Sequence, residues 1–405
     1  MGQYRIHPLE IDTFKRSQKL ENSGLPWNSV LIAEIEGVMD TGLPSIDMKV
    51  TMVVISSSAM TLASSHFAII VISTILFRKS ALIMNGSTIS EFILLGFSSS
   101  RPSQIFFSAM VFACYTIVIL GNLLIIVTVM SETQLQHIPM YLFLANLSLA
   151  DMSLSSVAAP KLAADLLNCG RTISYGGCMA QNFFLHVFGG AEMLLLTLMA
   201  YDRYVAICHP LRYTVIMNSQ CCLRLLMLCW AGGLIHSTIQ MVLIAHLPFC
   251  GPNVLDNFFC DIPELIKLGC ADTYAYEILM VVNSSLLTLP CFLALLVSYI
   301  TILTSLCGHF RQGSGKALST CSSHLTVVCL FYVPCAIVYL KPFSSSHTNK
   351  LASVFYVVVT PALNPFIYTL RNQEVKEAMR KLRERQMCSF SNVVAHSRIA
   401  ISCHY

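Results

Sequence analysis

Seven stretches of this chain are too long and too apolar to be organised by water. They run at about 105–130, 139–164, 177–208, 221–248, 275–306, 317–341 and 350–371. The hydrocarbon core of a bilayer needs roughly 20 mostly apolar residues per helix, and each stretch meets that length. Unpaired backbone groups are costly in lipid, so each stretch must satisfy its own hydrogen bonds as a helix. Strands would have to close as a barrel, and these stretches lack the alternation of barrel strands. Composition agrees, with 55% of the 405 residues hydrophobic and only 11% charged, against about 25% charged in a soluble domain. The expected fold is an all-α membrane protein, a seven-transmembrane helix bundle.

Lys and Arg near the span ends set orientation. With the stretch around Asn85 outside, the cytoplasmic side receives Arg212, Arg311, Lys316 and the cluster Arg371, Lys376, Arg380, Lys381, Arg383 and Arg385. The other side holds scattered Arg101, Arg171, Lys267, Lys341 and Lys350, offset by Asp256, Asp261, Glu264 and Asp272. The bias places the N-terminus out and the C-terminus in. A net charge of +4 is too small and too scattered for a nucleic-acid partner.

The chain divides into an N-terminal extension 1–84, a seven-helix body 85–387 and a tail 388–405. Residues 50–77 form a further apolar run diluted by Ser and Thr, followed by Arg78 and Lys79. An eighth helix or uncleaved signal anchor there would put both cations outside, against the bias. The run also starts too far from the N-terminus for an ordinary signal peptide. A poorly ordered extension, or an upstream reading-frame artefact, is the favoured alternative. After the seventh span, Asn372 to Leu382 reads as a short amphipathic C-terminal helix. Val375, Ala378, Met379 and Leu382 share one face, while Lys376, Arg380 and Lys381 occupy the others. That pattern suits the headgroup level of an anionic leaflet.

Charges within spans are costly and normally face a cavity or a partner. Asp151 falls in the second span and Glu192 in the third, with Asn122 in the first and Asn364 in the seventh as polar neighbours. These oxygens suit a sodium ion; a protonated, hydrogen-bonded pair without an ion is the equal alternative. The 17 cysteines contain no Cys-x-x-Cys pair, so a zinc site is not expected. Most lie in apolar stretches, where a thiol behaves as a small hydrophobe. Cys178, Cys250, Cys260 and Cys270 fall between spans, and four cysteines allow three pairings. Asn85-Gly86-Ser87 is a glycosylation sequon on the outer side.

The run Met199-Ala200-Tyr201-Asp202-Arg203-Tyr204-Val205-Ala206-Ile207-Cys208-His209-Pro210 resembles the signature of vertebrate odorant receptors, within the rhodopsin-like G-protein-coupled class. Gly121-Asn122, Pro139-Met140-Tyr141 with Leu147-Ser148-Leu149-Ala150-Asp151, Ser319-Thr320-Cys321-Ser322-Ser323-His324 and Pro361-Ala362-Leu363-Asn364-Pro365-Phe366-Ile367-Tyr368 extend the resemblance in order. It covers about Asn85 to Leu382 and implies a multi-pass protein of the plasma membrane. The implied partners are a small odorant, a stimulatory olfactory-type heterotrimeric G protein and the bilayer, with a rise in cyclic AMP as output. No cofactor is implied beyond sodium as an allosteric ligand.

The resemblance also assigns roles. Arg203, once released from Asp202 beside Tyr204, engages the G protein. Tyr299, His324, Asn364, Pro365 and Tyr368 belong to the switch, Pro365 because it removes a backbone donor and bends its helix. Asn122, Asp151, Glu192 and Asn364 match the polar core. Cys178 would bond Cys260, and Cys250 would bond Cys270, with Cys169 an extra thiol. Asn85 would carry glycan. The ligand would sit among Leu185, His186, Gly189 and Gly190 of the third span, Asn283 and Leu287 of the fifth, and Tyr332, Cys335, Ala336 and Tyr339 of the sixth. His186 could donate to a ligand carbonyl or hydroxyl, or pair with the loop instead.

Pro334 departs from the family pattern and should alter the bend of the sixth helix. Leu318 and the 84-residue extension depart from it too. Among rival functions, a transporter lacks an internal repeat. An enzyme lacks a catalytic constellation, since the phosphate-loop-like Gly313-Ser314-Gly315-Lys316 has Phe310 at the upstream glycine position and Ala317 after the lysine. A rhodopsin-like receptor for a non-odorant small molecule is the nearest alternative.

Overall fold

The computed structural model describes residues 89–96, 100–167, 170–249, 252–270, 273–308, 314–340, 346–371 and 373–385. The extension 1–84, Asn85, Cys169, Cys250, Asp272, Arg311, Lys341 and the tail 388–405 lie outside the described residues. Seven helices among the described residues are long and apolar enough to cross a membrane. They are α1 (Arg101–Ser131), α2 (Pro139–Leu167), α3 (Tyr175–Cys208), α4 (Ser219–Ala245), α5 (Tyr274–Gly308), α6 (Ser314–Leu340) and α7. The last combines Ser346–Val354, a π-helical stretch Phe355–Val359 and Thr360–Arg371.

Local chemistry fixes several helix starts. Ser100, Ser174 and Asn218 accept from the backbone N–H three residues on, opening α1, α3 and α4. These side chains satisfy donors that the first helical turn leaves free. The fourth apolar stretch, expected to reach 248, stops as a helix at Ala245, just before Pro248. A proline disfavours helical backbone in the residue before it.

Burial ranks the helices. In α3, 78% of the apolar segment is buried, against 22% in α1 and in α5. α3 is thus the central post, while α1 and α5 turn Phe112, Leu120, Leu124, Leu286 and Val297 outward, as a lipid-facing wall requires. Close approach is bought by glycine at two places. A Cβ on Gly121 of α1 would stand 2.9 Å from the ring carbons of Pro365, and one on Gly233 of α4 would stand 2.4 Å from the Val187 carbonyl of α3.

The prolines leave carbonyls that neighbouring helices claim. Pro365 has no N–H to offer the carbonyl four residues back, Pro361, and Asn122 Nδ2 donates to that oxygen at 3.1 Å. Pro334 likewise leaves Leu330 free, and Thr360 Oγ1 donates to it at 3.0 Å. In the π-helical stretch, Ser155 Oγ donates to the Val357 carbonyl at 2.6 Å. The first-helix Gly-Asn pair therefore has a physical reason: glycine admits the Pro365 ring, and asparagine satisfies the oxygen that the ring orphans.

A small three-stranded sheet, absent from the sequence expectation, caps one end. β1 (Glu91–Leu94) pairs antiparallel with β2 (Thr172–Ser174) and parallel with β3 (Val254–Leu255). The Cys178–Cys260 disulfide, 5.3 Å between Cα atoms, ties the loop that bears β3 to the start of α3. At the other end, residues 373–385 form a helix, α8, ending three residues beyond the expected Leu382. Val375 and Ala378 are buried while Lys376, Arg380 and Lys381 are exposed. Tyr141 of α2 donates to Glu374 at 2.6 Å, and Arg385 pairs with Glu132 at 2.8 Å.

Candidate functional site

Three groups of candidate residues are strung along α3, because a central helix 34 residues long passes every level of the bundle. Nearest the disulfide lies a cavity of about 50 Å³, walled by α3, α4, α5, α6 and α7. On this measure one water needs roughly 10–15 Å³, so the space admits only a few. Leu185, His186, Gly189, Gly190, Leu287, Cys335, Ala336 and Tyr339 all line it. Asn283 and Tyr332 do not. The Asn283 amide is drawn to His236 Nδ1 at 3.2 Å. The Tyr332 hydroxyl is held against α3, 3.3 Å from Thr197 Oγ1 and 3.4 Å from the Met193 carbonyl.

The wall also contains Met193, His236, Ser284, Thr288, Phe331 and Tyr356, which sequence reasoning missed. His236 is the instructive case. It stands on α4, and only the glycine contact between α3 and α4 brings that helix near enough. Gly190 and Gly233 were the available signal. His186 pairs with the carbonyl of Asn182 in its own helix at 2.9 Å, not with the loop.

The loop after α4 still reaches the cavity wall. Asp261 follows the disulfide-bonded Cys260, is 2% exposed, and accepts from its neighbour Ile262 N–H at 2.9 Å. The same oxygen accepts from the Tyr339 hydroxyl at 3.1 Å, which lies 3.0 Å from the Tyr356 hydroxyl. Burial pushes the Asp261 carboxyl up to about 7, against the lowering effect of the Ile262 and Tyr339 hydrogen bonds. Cys270, at the end of this loop, is disulfide-bonded as well.

In mid-bundle, Asn364 Nδ2 donates to both Asp151 oxygens at 2.9 and 3.1 Å. Asp151 and Glu192 are both fully buried. Asn122 Oδ1, Asn364 Oδ1 and, unless a proton is shared with Asp151, both Glu192 oxygens are buried without a hydrogen-bond partner. Orphaned buried oxygens are costly, and a set of them around two acids is a donor set for a hard cation. The residues present therefore admit either of the two expected states, a sodium ion or a proton shared between Asp151 and Glu192, whose side chains lie within hydrogen-bonding reach.

At the end of α3 remote from the disulfide, Arg203 Nε lies 4.0 Å from Asp202 Oδ2. Asp202 Oδ1 accepts from the Tyr213 hydroxyl at 2.8 Å. Burial, reinforced by Asp202, raises Tyr213 above the ordinary phenol value, so it stays a donor. Arg203 Nε is itself buried without a hydrogen-bond partner. Tyr299 of α5 and His324 of α6 are hydrogen-bonded across the gap between their helices. The Tyr368 hydroxyl is buried and unpartnered, within electrostatic reach of both Asp151 and Arg203. Tyr204 turns aside to His209 Nε2 at 3.0 Å.

This arrangement has a cavity at one end, a polar core, and a held arginine at the other. Residues 111–385 match the protein family described as Olfactory receptor. The chain belongs to the olfactory receptor family. It is 56% identical to olfactory receptor 4Q3 of Homo sapiens over 297 residues, which covers 73% of this chain and 95% of that one. It is 51% identical to olfactory receptor 4E2 of Mus musculus over 306 residues, covering 76% and 99%. Among solved structures, squid rhodopsin matches with a TM-score of 0.57 at 16% identity, over 70% of this chain and 86% of that one. That likeness shows the rhodopsin-like seven-helix fold. The receptor is accordingly an odorant receptor of the multi-pass plasma-membrane type, not an enzyme, with odorants as ligands and a G protein as partner.

Proposed function

We propose that odorants bind in the cavity between α3, α4, α5 and α6 and drive a stimulatory olfactory-type G protein, raising cyclic AMP. The single observation that carries the reading is Arg203, its buried Nε without a hydrogen-bond partner, held beside Asp202 at one end of the helix whose other end lines the cavity. The cavity is tight, so an odorant must push its walls apart. Tyr339 and Phe331 carry that displacement into α6, whose Pro334 leaves the ladder weakest next to the wall. At the far end the Tyr299–His324 bond reads the shift, and Arg203 leaves Asp202 for the G protein. Such coupling needs differential ligand affinity for two states of one bistable element.

The same proposal takes the 85–387 body as the receptor domain, with its N-terminus extracellular, glycan on Asn85 and its C-terminus cytoplasmic. The support for that orientation is the excess of Lys and Arg at the opposite ends of the spans. Cys250 is assigned as the partner of Cys270. Sodium, when bound, would be held by Asp151 and Glu192 with the amide oxygens of Asn122 and Asn364, and would favour the inactive packing by offsetting one carboxylate charge. Replacing sodium by choline should lower the thermal midpoint of the purified wild type and leave Asp151→Asn unmoved. An equal shift in both would remove sodium from the core.

The test of coupling is Arg203→Ala beside wild type in a cyclic-AMP assay with an odorant panel, at matched surface expression. The variant should lose the odorant response. Equal responses defeat the role assigned to Arg203.

A further inference from the structure

His186 and His236 both line the cavity, from α3 and α4, with ring centroids 5.9 Å apart. Their hydrogen bonds fix opposite proton positions. His186 Nδ1 lies 2.9 Å from the Asn182 carbonyl oxygen, which can only accept, so Nδ1 carries the hydrogen. A neutral imidazole has one N–H, and among the described residues no acidic side chain lines the cavity to favour a charged ring. His186 Nε2 is therefore a bare acceptor. It is buried without a hydrogen-bond partner, on a side chain from a residue only 7% exposed. His236 is the reverse: Asn283 Nδ2, 3.2 Å from its Nδ1, can only donate, so His236 holds its hydrogen on Nε2.

An acceptor and a donor thus share one wall; Ser284, Thr288, Tyr339 and Tyr356 add hydroxyls, and most of the remainder is apolar. An alcohol or phenol serves both rings, its O–H donating to His186 and its oxygen accepting from His236. An ether, ester or ketone can only accept, and leaves His186 Nε2 unmet. A carboxylate would enter uncompensated, since among the described residues no Lys or Arg lines the cavity. We propose that this receptor selects hydroxyl-bearing odorants over ethers and ketones of the same skeleton, with His186 Nε2 as the group that recognises the hydroxyl hydrogen. The proposal rests on the odorant-binding reading of this cavity. It differs from both sequence alternatives for His186, donation to the ligand and pairing with the loop.

The experiment compares medium-chain alcohols and phenols with their methyl ethers and the matching ketones. Binding is read as thermal stabilisation of the purified receptor, where occupancy of the folded state raises the midpoint, and coupling as cyclic AMP in cells. Hydroxyl compounds should act at about tenfold lower concentration than their ethers, one hydrogen bond's worth of selectivity. The gap should close in His186→Leu and persist in His186→Gln, whose amide oxygen still accepts. Ethers or ketones equal to alcohols on wild type overturn the proposal, as does a gap that survives in His186→Leu. Should His186→Leu not reach the surface, the wild-type comparison and His186→Gln decide alone. Stabilisation by alcohols without cyclic AMP upholds the selectivity and defeats the coupling reading. No stabilisation by any compound defeats both.

Discussion

Asp261 is a carboxyl that a loop would ordinarily leave in water. Here the Cys178–Cys260 disulfide pins its neighbour to α3, and the side chain is packed against the Tyr339–Tyr356 pair at the cavity wall. Burial raises it to about 7, and nearby Glu264 adds to that. The sign of the pH effect follows. Below about pH 4 the group is protonated folded or unfolded. Between there and about 7 the folded receptor keeps a proton that the unfolded chain gives up, so stability declines as pH rises through this window. The thermal midpoint of the purified receptor should fall from pH 5 to pH 8, and Asp261→Asn should flatten that part of the profile. An unchanged slope in the variant would show that another group sets it.

Individual residues also mark how far the sequence could be read. Asp151, Glu192 and Asn364 declare themselves, because a carboxylate in an apolar run is too costly to be idle. The hydrogen-bond partners do not. Nothing in the spacing of His186 says that Asn182 would take its Nδ1 hydrogen. Nothing in the run around Asn283 says its amide would turn to α4. Those depend on which helices stand side by side, and one-dimensional periodicity carries no such record.

At the level of helices, the spans were legible because lipid leaves a chain few options. The three strands of the cap were not, since segments as short as Val254–Leu255 have no period to detect. The π-helical stretch Phe355–Val359 was equally hidden; its extra carbonyl is satisfied from α2 by Ser155. Pro334 was visible as a departure, yet its consequence needed the neighbour, Thr360 of α7. That pairing makes a prediction. Thr360→Val should cost about 1–3 kcal/mol by leaving the Leu330 carbonyl unpaired in a dry core. In a Pro334→Ala background the restored N–H at 334 satisfies Leu330, and the same change should cost far less. A double-mutant cycle on thermal stability measures the difference. Additive losses would mean that Thr360 is not serving the proline-freed oxygen.

Within the described seven-helix body, the spans put apolar side chains outward and their few charges inward. α1 and α5 form the lipid-facing wall, and the buried acids and Arg203 are spaced along the α3-centred core. On the proposed function, ligand recognition and G-protein contact lie at opposite ends, joined by helices whose prolines interrupt the backbone ladder. The whole account depends on the cavity being where an odorant acts. Gly189 gives access to that question, because it lines the cavity and a Cβ built on it meets nothing within 4 Å. A larger side chain there fills the space without disturbing helix packing, unlike one at Gly190, where the Gly233 Cα stands at 3.1 Å. The decisive assay is the odorant dose–response of Gly189→Leu at matched surface expression. The variant should reach the surface like wild type and lose at least tenfold in sensitivity to an odorant that activates wild type, whereas an unchanged dose–response would place the ligand elsewhere.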